Sequence, residues 1–194
     1  MIRVTVTVRN ERFQPDYDIE IPAETSTLEL APCIAEALNW RVDSSGRLLS
    51  HSIYAEPPGK VLAIANSLAD AGVWDGATLT LEGFASAYFE SANGAIYPLR
   101  RSQVFVSRHA SVDATEIPDS VLDLSAEPNG QTVSRVHAVL VCRKGQWQIY
   151  HRSDTNQTFL NNQSLAREDM LALQEGDLIE FGGVVLTFHL GEPT

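Results

Sequence analysis

The chain has 194 residues, 44% of them hydrophobic and 20% charged, and a mean hydropathy of −0.09. These values exclude a disordered tract and a membrane protein, and they leave room for one large domain or two small ones. The formal net charge of −11 excludes general binding to nucleic acid or to an anionic membrane, because both depend on a cationic surface.

No run approaches the roughly 18 apolar residues of a membrane helix, and the opening MIRVTVTVRN alternates where a leader would place a charged segment and an apolar core. Neither membrane insertion nor a cleaved signal is expected. Cys33 and Cys142 lie far apart in apolar stretches, LAPCIAEAL and AVLVCRK. Each reads as a buried free thiol, which favours a reducing, cytoplasmic setting. Acidity is shared: residues 1–83 hold 6 Lys+Arg against 12 Asp+Glu, and residues 84–194 hold 8 against 13. Seven of those eight cations, Arg100, Arg101, Arg108, Arg135, Arg143, Lys144 and Arg152, fall between positions 100 and 152. A local cationic patch on an acidic body suits a small anionic ligand better than a polyanion.

Residues 2–8, IRVTVTV, alternate strictly and predict a strand. YDIEI at 17–21 alternates again after a turn containing Pro15 and Asp16, so the two predict a hairpin. In STLELAPCIAEALNW, Ser26 and Glu29 form a capping-box pattern, and Leu28, Ala31, Ile34, Ala35 and Leu38 follow helical spacing. Pro32 lies beyond the first turn of that helix and predicts a kink or a late start. Short strands are expected at Ser52–Ala55, Val61–Ile64 and Ala77–Leu81, the last after the Asp75-Gly76 turn.

The order strand, strand, helix, strands is that of a small α+β roll. Together with YDIEIPAETSTLELAPCIAEAL and SLADAGVWDGATLTL, it resembles the YukD-like branch of the ubiquitin-like fold. That resemblance implies a β-grasp domain over 1–83, a protein-interaction unit with a partner of its own, and a setting in bacterial type VII secretion. The stretch ends at Glu82-Gly83-Phe84 and runs on into more protein, without a free diglycine tail.

From Ala85 onward helical periodicity nearly disappears. AYFES and AIYPL flank Ala92-Asn93-Gly94, a strong hairpin signal. Further strands are expected at Val104–Val106, Val121–Leu124, His137–Cys142, Trp147–Tyr150, Thr158–Leu160, Leu178–Phe181 and Val184–His189. Many short strands separated by turns predict an all-β sandwich.

The triplet Val-Ser-Arg occurs twice, in VSRHA at 106–110 and in VSRVHA at 133–138. A true repeat is disfavoured, because the first runs into the acidic, loop-like SVDATEIPD and the second into the apolar VLVC. A Ser/His nucleophile is disfavoured too. Ser134 and His137 are three apart, which puts them on opposite faces of a strand, and no glycine-flanked elbow surrounds Ser134. The histidines and cysteines show no metal-ligand spacing. Phosphate capture is the third reading: a phosphothreonine needs a guanidinium plus hydroxyl and amide donors, and Arg108 and Ser134 supply the first two.

Four blocks across residues 85–190 then resemble a forkhead-associated (FHA) domain. They are Ser107-Arg108 for the family's Gly-Arg, Ser134-Arg135-Val136-His137 for Ser-Arg-x-His, Asn156 to Asn162 for Asn-Gly-Thr-x-x-Asn-Gly, and Gly176 to Gly182 for Gly-Asp-x-Ile-x-Phe-Gly. The resemblance implies a non-enzymatic reader of phosphothreonine without cofactor or metal. Arg108 and Ser134 would hold the phosphate, Arg135 would add charge or contact the peptide, Asn156 would bond the peptide backbone, and His137 would brace the loops. Ser107, Thr158 and Asn161 are expected to support the site. Phosphothreonine would be preferred over phosphoserine because its methyl fills a small pocket. Arg143, Lys144 and Arg152 read as solvated charges, and Trp147 as sandwich core.

The chain departs from the family at Ser107, Gln157 and Asn162, which replace glycines, and at His151, where an aspartate is common. These positions shape the loops, so a phosphate-independent scaffold is the alternative to a reader. The expected organisation is a ubiquitin-like domain at 1–83 and an FHA domain at 85–194, joined in an adaptor.

Overall fold

The computed structural model describes residues 2–10, 12–109, 120–167 and 169–193. It divides into two compact units, with the boundary between Gly83 and Phe84. The acidic stretch expected as a loop at 111–119 lies outside the described residues.

In the first unit, β1 (Arg3–Asn10) and β2 (Phe13–Pro22) form an antiparallel hairpin, followed by α1 (Thr27–Ala37), β3 (Leu49–Glu56), β4 (Lys60–Val61) and β5 (Thr78–Ala85). The sheet order is β2-β1-β5-β3-β4, with β1 and β5 parallel. Alternation in β1 sends Val4, Val6 and Val8 inward, where they meet Leu30, Ala31, Ile34 and Ala35 of α1 in one core. Pro15 and Asp16, expected in the turn, lie within β2. An edge strand has one side free of ladder bonds, so it tolerates a proline that a central strand would not.

The helix is capped as its sequence predicts. The backbone N–H of Glu29 donates to Ser26 Oγ at 3.4 Å, and that hydroxyl also bonds Glu29 Oε2. No late start occurs, because α1 begins directly after the cap with Pro32 inside it. Pro32 and Leu28, whose carbonyl a normal residue at 32 would bond, are both exposed, so water reaches the backbone the ring interrupts. The buried stripe runs through Leu30 where the spacing put Leu28. Cys33 falls outside that stripe and is exposed, and Cys142 is half-buried, which corrects the expectation of two buried thiols. A single apolar neighbourhood in sequence does not say which face of the helix a residue takes.

The second unit is a sandwich. Its strands are β6 (Ala87–Ser91), β7 (Ile96–Pro98), β8 (Gln103–Ser107), β9 (Val121–Asp123), β10 (Ala138–Arg143), β11 (Gln146–His151), β12 (Thr158–Leu160), β13 (Gln163–Ser164), β14 (Met170–Ala172), β15 (Leu178–Phe181) and β16 (Val184–Leu190). They form one sheet ordered β14-β11-β10-β8-β9 and another ordered β13-β12-β15-β16-β6-β7. Val106, Leu140, Trp147 and Ile149 of the first sheet share a core with Phe89, Ile179, Phe181, Leu186 and Phe188 of the second. Trp147 is buried and donates its indole N–H to the Ala85 carbonyl at 2.9 Å. Two short strands, β13 and β14, were not legible as strands, since neither has an alternating apolar pattern.

Among the described residues no helix is long and apolar enough to cross a membrane. None of their His, Cys, Asp and Glu side chains form a group of three placed to hold a metal ion.

Candidate phosphate-binding groove

His137 is the junction of three chain segments. Its N–H donates to the Val106 carbonyl at the end of β8, and its own carbonyl accepts from Arg152 and Ser153 just after β11, at 2.9 and 3.0 Å. The Arg108 N–H in turn donates to the Ser134 carbonyl at 3.3 Å. These bonds bring both Val-Ser-Arg triplets and the segment after β11 to one end of the sandwich. They open a groove of about 650 Å³ lined by Arg108, Ser134, Arg135, Arg152, Ser153 and Asn156, with Gln131, Val133, Val136, Asp154 and Thr155 completing it.

The imidazole of His137 lies beneath the groove, fully buried against Phe181 and His151, with ring centroids 5.8 and 6.0 Å away. Its Nδ1 accepts the Ser134 N–H at 3.0 Å. The neutral ring therefore carries its proton on Nε2, and a second proton at Nδ1 would break the bond that holds Ser134. Burial holds this histidine down at about 4, against a smaller upward pull from the Gln157 backbone and with a further downward one from His151. His151, the family's aspartate position, is also buried, and its Nδ1 bonds Thr158 Oγ1 at 2.9 Å. Burial is the main cause that lowers its pKa too.

Three hydroxyls meet at the groove. Ser134 Oγ lies 2.6 Å from Ser153 Oγ and 3.0 Å from Thr155 Oγ1, and Ser153 Oγ accepts the N–H groups of Thr155 and Asn156 at 3.2 and 3.1 Å. Asn156 donates Nδ2 to the Thr132 carbonyl at 2.6 Å. Its Oδ1 has no donor among the described residues. Gly182 packs against the Thr132 carbonyl, with a φ of +65° and so close that an added Cβ would meet that oxygen at 2.5 Å. A glycine is required there on both counts.

The charge of the groove is cationic. Arg3, Arg9, Arg41, Arg47 and Arg167 each pair with a carboxylate. None of Arg108, Arg135 and Arg152 has a carboxylate partner among the described residues. Among those residues the Arg108 side chain bonds only the Gln131 carbonyl, from Nη1 at 3.4 Å, and its Nε is buried without a partner. Asp154 also lines the groove but is ion-paired with Arg167.

The cationic patch is smaller than the sequence suggests. Arg101 is buried, and Arg143 and Lys144 sit at the β10–β11 turn, at the opposite end of β10 from Ala138, about 17 Å away at the rise of a strand. Arg152, read from sequence as a solvated charge, instead lines the groove. Ser153 and Thr155 were missed as well. Their signal was the hydroxyl pair flanking Asp154, visible only once Ser134 is known to face it.

Among the supporting residues, Ser107 is fully buried. Its Oγ donates to the His109 carbonyl at 2.8 Å and accepts the His109 N–H at 3.0 Å, closing the turn that carries Arg108. Its φ is not left-handed, so serine meets no backbone penalty where the family has glycine. Thr158 is buried behind the groove on His151. Asn161 does not line the groove. It sits with Asn162 in the two-residue β12–β13 turn, with φ of 49° and 66°, the left-handed pair of a type I′ hairpin that asparagine tolerates. Its side chain ties that turn to Asp177 and Leu178 at 2.8 and 3.0 Å.

Residues 106–182 match the FHA domain family, and residues 1–81 match the family described as WXG100 protein secretion system (Wss), protein YukD. No curated protein matches the sequence. Solved structures similar to the chain include the FHA domain of MEK1 in complex with a HOP1 phosphothreonine peptide, 25% identical, covering 56% of this chain and 99% of that one with a TM-score of 0.41. The FHA domain of an Arabidopsis thaliana hypothetical protein is 20% identical over 57% of this chain and 91% of that one, with a TM-score of 0.43. Mycobacterium tuberculosis EmbR in complex with a low-affinity phosphopeptide is 21% identical over 86% of this chain and 31% of that one, with a TM-score of 0.45. The chain thus joins a member of the YukD family, over residues 1–81, to a member of the FHA domain family, over residues 106–182.

Proposed function

We propose that the chain is a non-enzymatic adaptor that captures a phosphothreonine-bearing segment of a partner protein. In this reading residues 85–194 form the reader. Residues 1–83, with one helix on a mixed five-stranded sheet, form a ubiquitin-like β-grasp that docks a second protein. The observation that carries it is the groove, where three arginines without carboxylate partners among the described residues surround a cluster of three hydroxyls. A phosphothreonine carries nearly two negative charges and three acceptor oxygens, and such a set of donors answers it.

Arg108 supplies the guanidinium and Ser134 the hydroxyl, Arg135 adds charge at the rim, and Asn156 offers Oδ1 to a peptide N–H. Ser107, His137 and Thr158 hold these groups from behind, and Asn161 fixes the turn beyond β12. Chemistry of this kind is binding and calls for no cofactor. A kinase acting on the partner would switch the assembly, and the YukD match supports a place in bacterial type VII secretion, on the cytoplasmic side. A phosphate-independent scaffold is the competing reading. In its favour, the Ser134, Ser153 and Thr155 hydroxyls and Asn156 Nδ2 already have partners within the chain.

The deciding measurement is binding of the whole chain to a degenerate phosphothreonine peptide library beside phosphoserine and unphosphorylated pools, repeated with Arg108→Ala. A hydrogen bond to a charged group contributes roughly 1.5 to 3 kcal/mol, so the variant should lose one to two orders of magnitude in affinity. Binding indifferent to phosphate, or untouched by the substitution, would favour the scaffold. A pull-down from the native cell that returned no secretion component would remove the link to type VII secretion.

A further inference from the structure

Arg152 is the one of the three groove arginines to which the phosphothreonine reading gives no individual role. Its backbone N–H is pinned to the His137 carbonyl, so its position is fixed by the same junction that places Ser134. The next residue, Ser153, puts its hydroxyl 2.6 Å from Ser134 Oγ. The Arg152 side chain is exposed, lines the groove, and has no carboxylate partner among the described residues. The nearest acid in sequence, Asp154, is ion-paired with Arg167.

A charge count extends the point. A phosphothreonine brings about 1.5 to 2 negative charges at neutral pH, which Arg108 and Arg135 offset. Arg152 is then a positive charge in excess, on a protein whose net charge of −11 would otherwise repel acidic segments.

We propose that Arg152 is a specificity-determining residue that selects a phosphothreonine with an Asp or Glu close beside it in sequence. This rests on the phosphothreonine reading of the groove. An arginine side chain spans about two residues of an extended peptide, which rises roughly 3.3 Å per residue, so the acid lies within two positions of the phosphothreonine. A third arginine lining the groove thus turns a general phosphate grip into a reader of acidic context.

The test compares three phosphothreonine peptides by titration calorimetry against the whole chain: one with Asp within two residues of the phosphothreonine, one with Asn in the same place, and one with Asp five residues away. The wild-type chain should bind the first about fivefold more tightly than the other two, the scale of a partly exposed ion pair. Arg152→Gln should bring the ratio of near-Asp to near-Asn affinity to about one, and Arg152→Glu should invert it. Equal wild-type affinities, or a preference that survives Arg152→Gln, overturn the proposal and leave the phosphate grip standing. A wild-type chain that binds none of the three overturns the phosphothreonine reading and this proposal together.

Discussion

His137 shows how a single side chain sets the pH range over which the groove keeps its shape. Its neutral ring accepts the Ser134 N–H, and burial keeps it neutral in the folded chain down to about 4, whereas the unfolded chain protonates it near 6.5. Its contribution is therefore fully present above about 6.5, falls as the pH drops toward 4, and is flat below that. Over that window it amounts to on the order of 3 kcal/mol. Urea unfolding at a series of pH values should show stability declining from pH 6.5 to 4 in the wild type, with a shallower decline in His137→Gln. His51 and His151 are displaced in the same direction, mainly by burial, so they add to the wild-type slope and persist in the variant.

At this scale the sequence was legible where a residue's partner is near in the chain or belongs to a recurring block. Arg108, Ser134, Arg135 and Asn156, each in one of those blocks, line one groove. Arg152 was not legible, because its direction depends on a bond to His137 fifteen positions earlier, and Cys33 was misjudged because the helix turned it outward.

Among the elements, the turn between β15 and β16 is the one on which the groove leans. Gly182 packs on the Thr132 carbonyl, the same oxygen that accepts from Asn156, and its N–H donates to the Gln157 carbonyl at 3.0 Å. Gly182→Ala adds a Cβ 2.5 Å from that oxygen at a left-handed φ, so backbone strain and displacement act together. The expected loss is roughly 2 to 4 kcal/mol of stability in chemical denaturation, with weaker phosphopeptide binding as Thr132 and Asn156 move. The cap of α1 predicts a smaller effect in the first unit. Ser26→Ala removes the hydroxyl that accepts the Glu29 N–H and should cost about 1 kcal/mol in the same assay, without altering peptide affinity.

Elements with clean periodicity or caps were predictable in kind, with their ends off by a few residues. β12 and β15 match their expected bounds, since turn residues punctuate both. β13 and β14 escaped because two or three residues paired at a sheet's margin carry no pattern of their own, and their strand character comes from the neighbours they pair with.

For the whole molecule, the net charge is opposite in sign to that of the groove's arginines. A net −11 on the chain coexists with a groove whose three arginines are left without carboxylate partners among the described residues. Charges farther apart than about 8 to 10 Å are screened at physiological salt, whereas contacts inside a groove are screened much less. At low ionic strength, where that screening is weak, a peptide of net negative charge meets repulsion on approach and attraction only at arrival. Stopped-flow binding should show an association rate that rises with added salt, the reverse of the usual electrostatically steered encounter, while the dissociation rate rises as the ion pairs weaken. On the phosphothreonine reading, these arginines, without carboxylate partners among the described residues, then act as a gate set in a repulsive surface, so discrimination begins before contact is made.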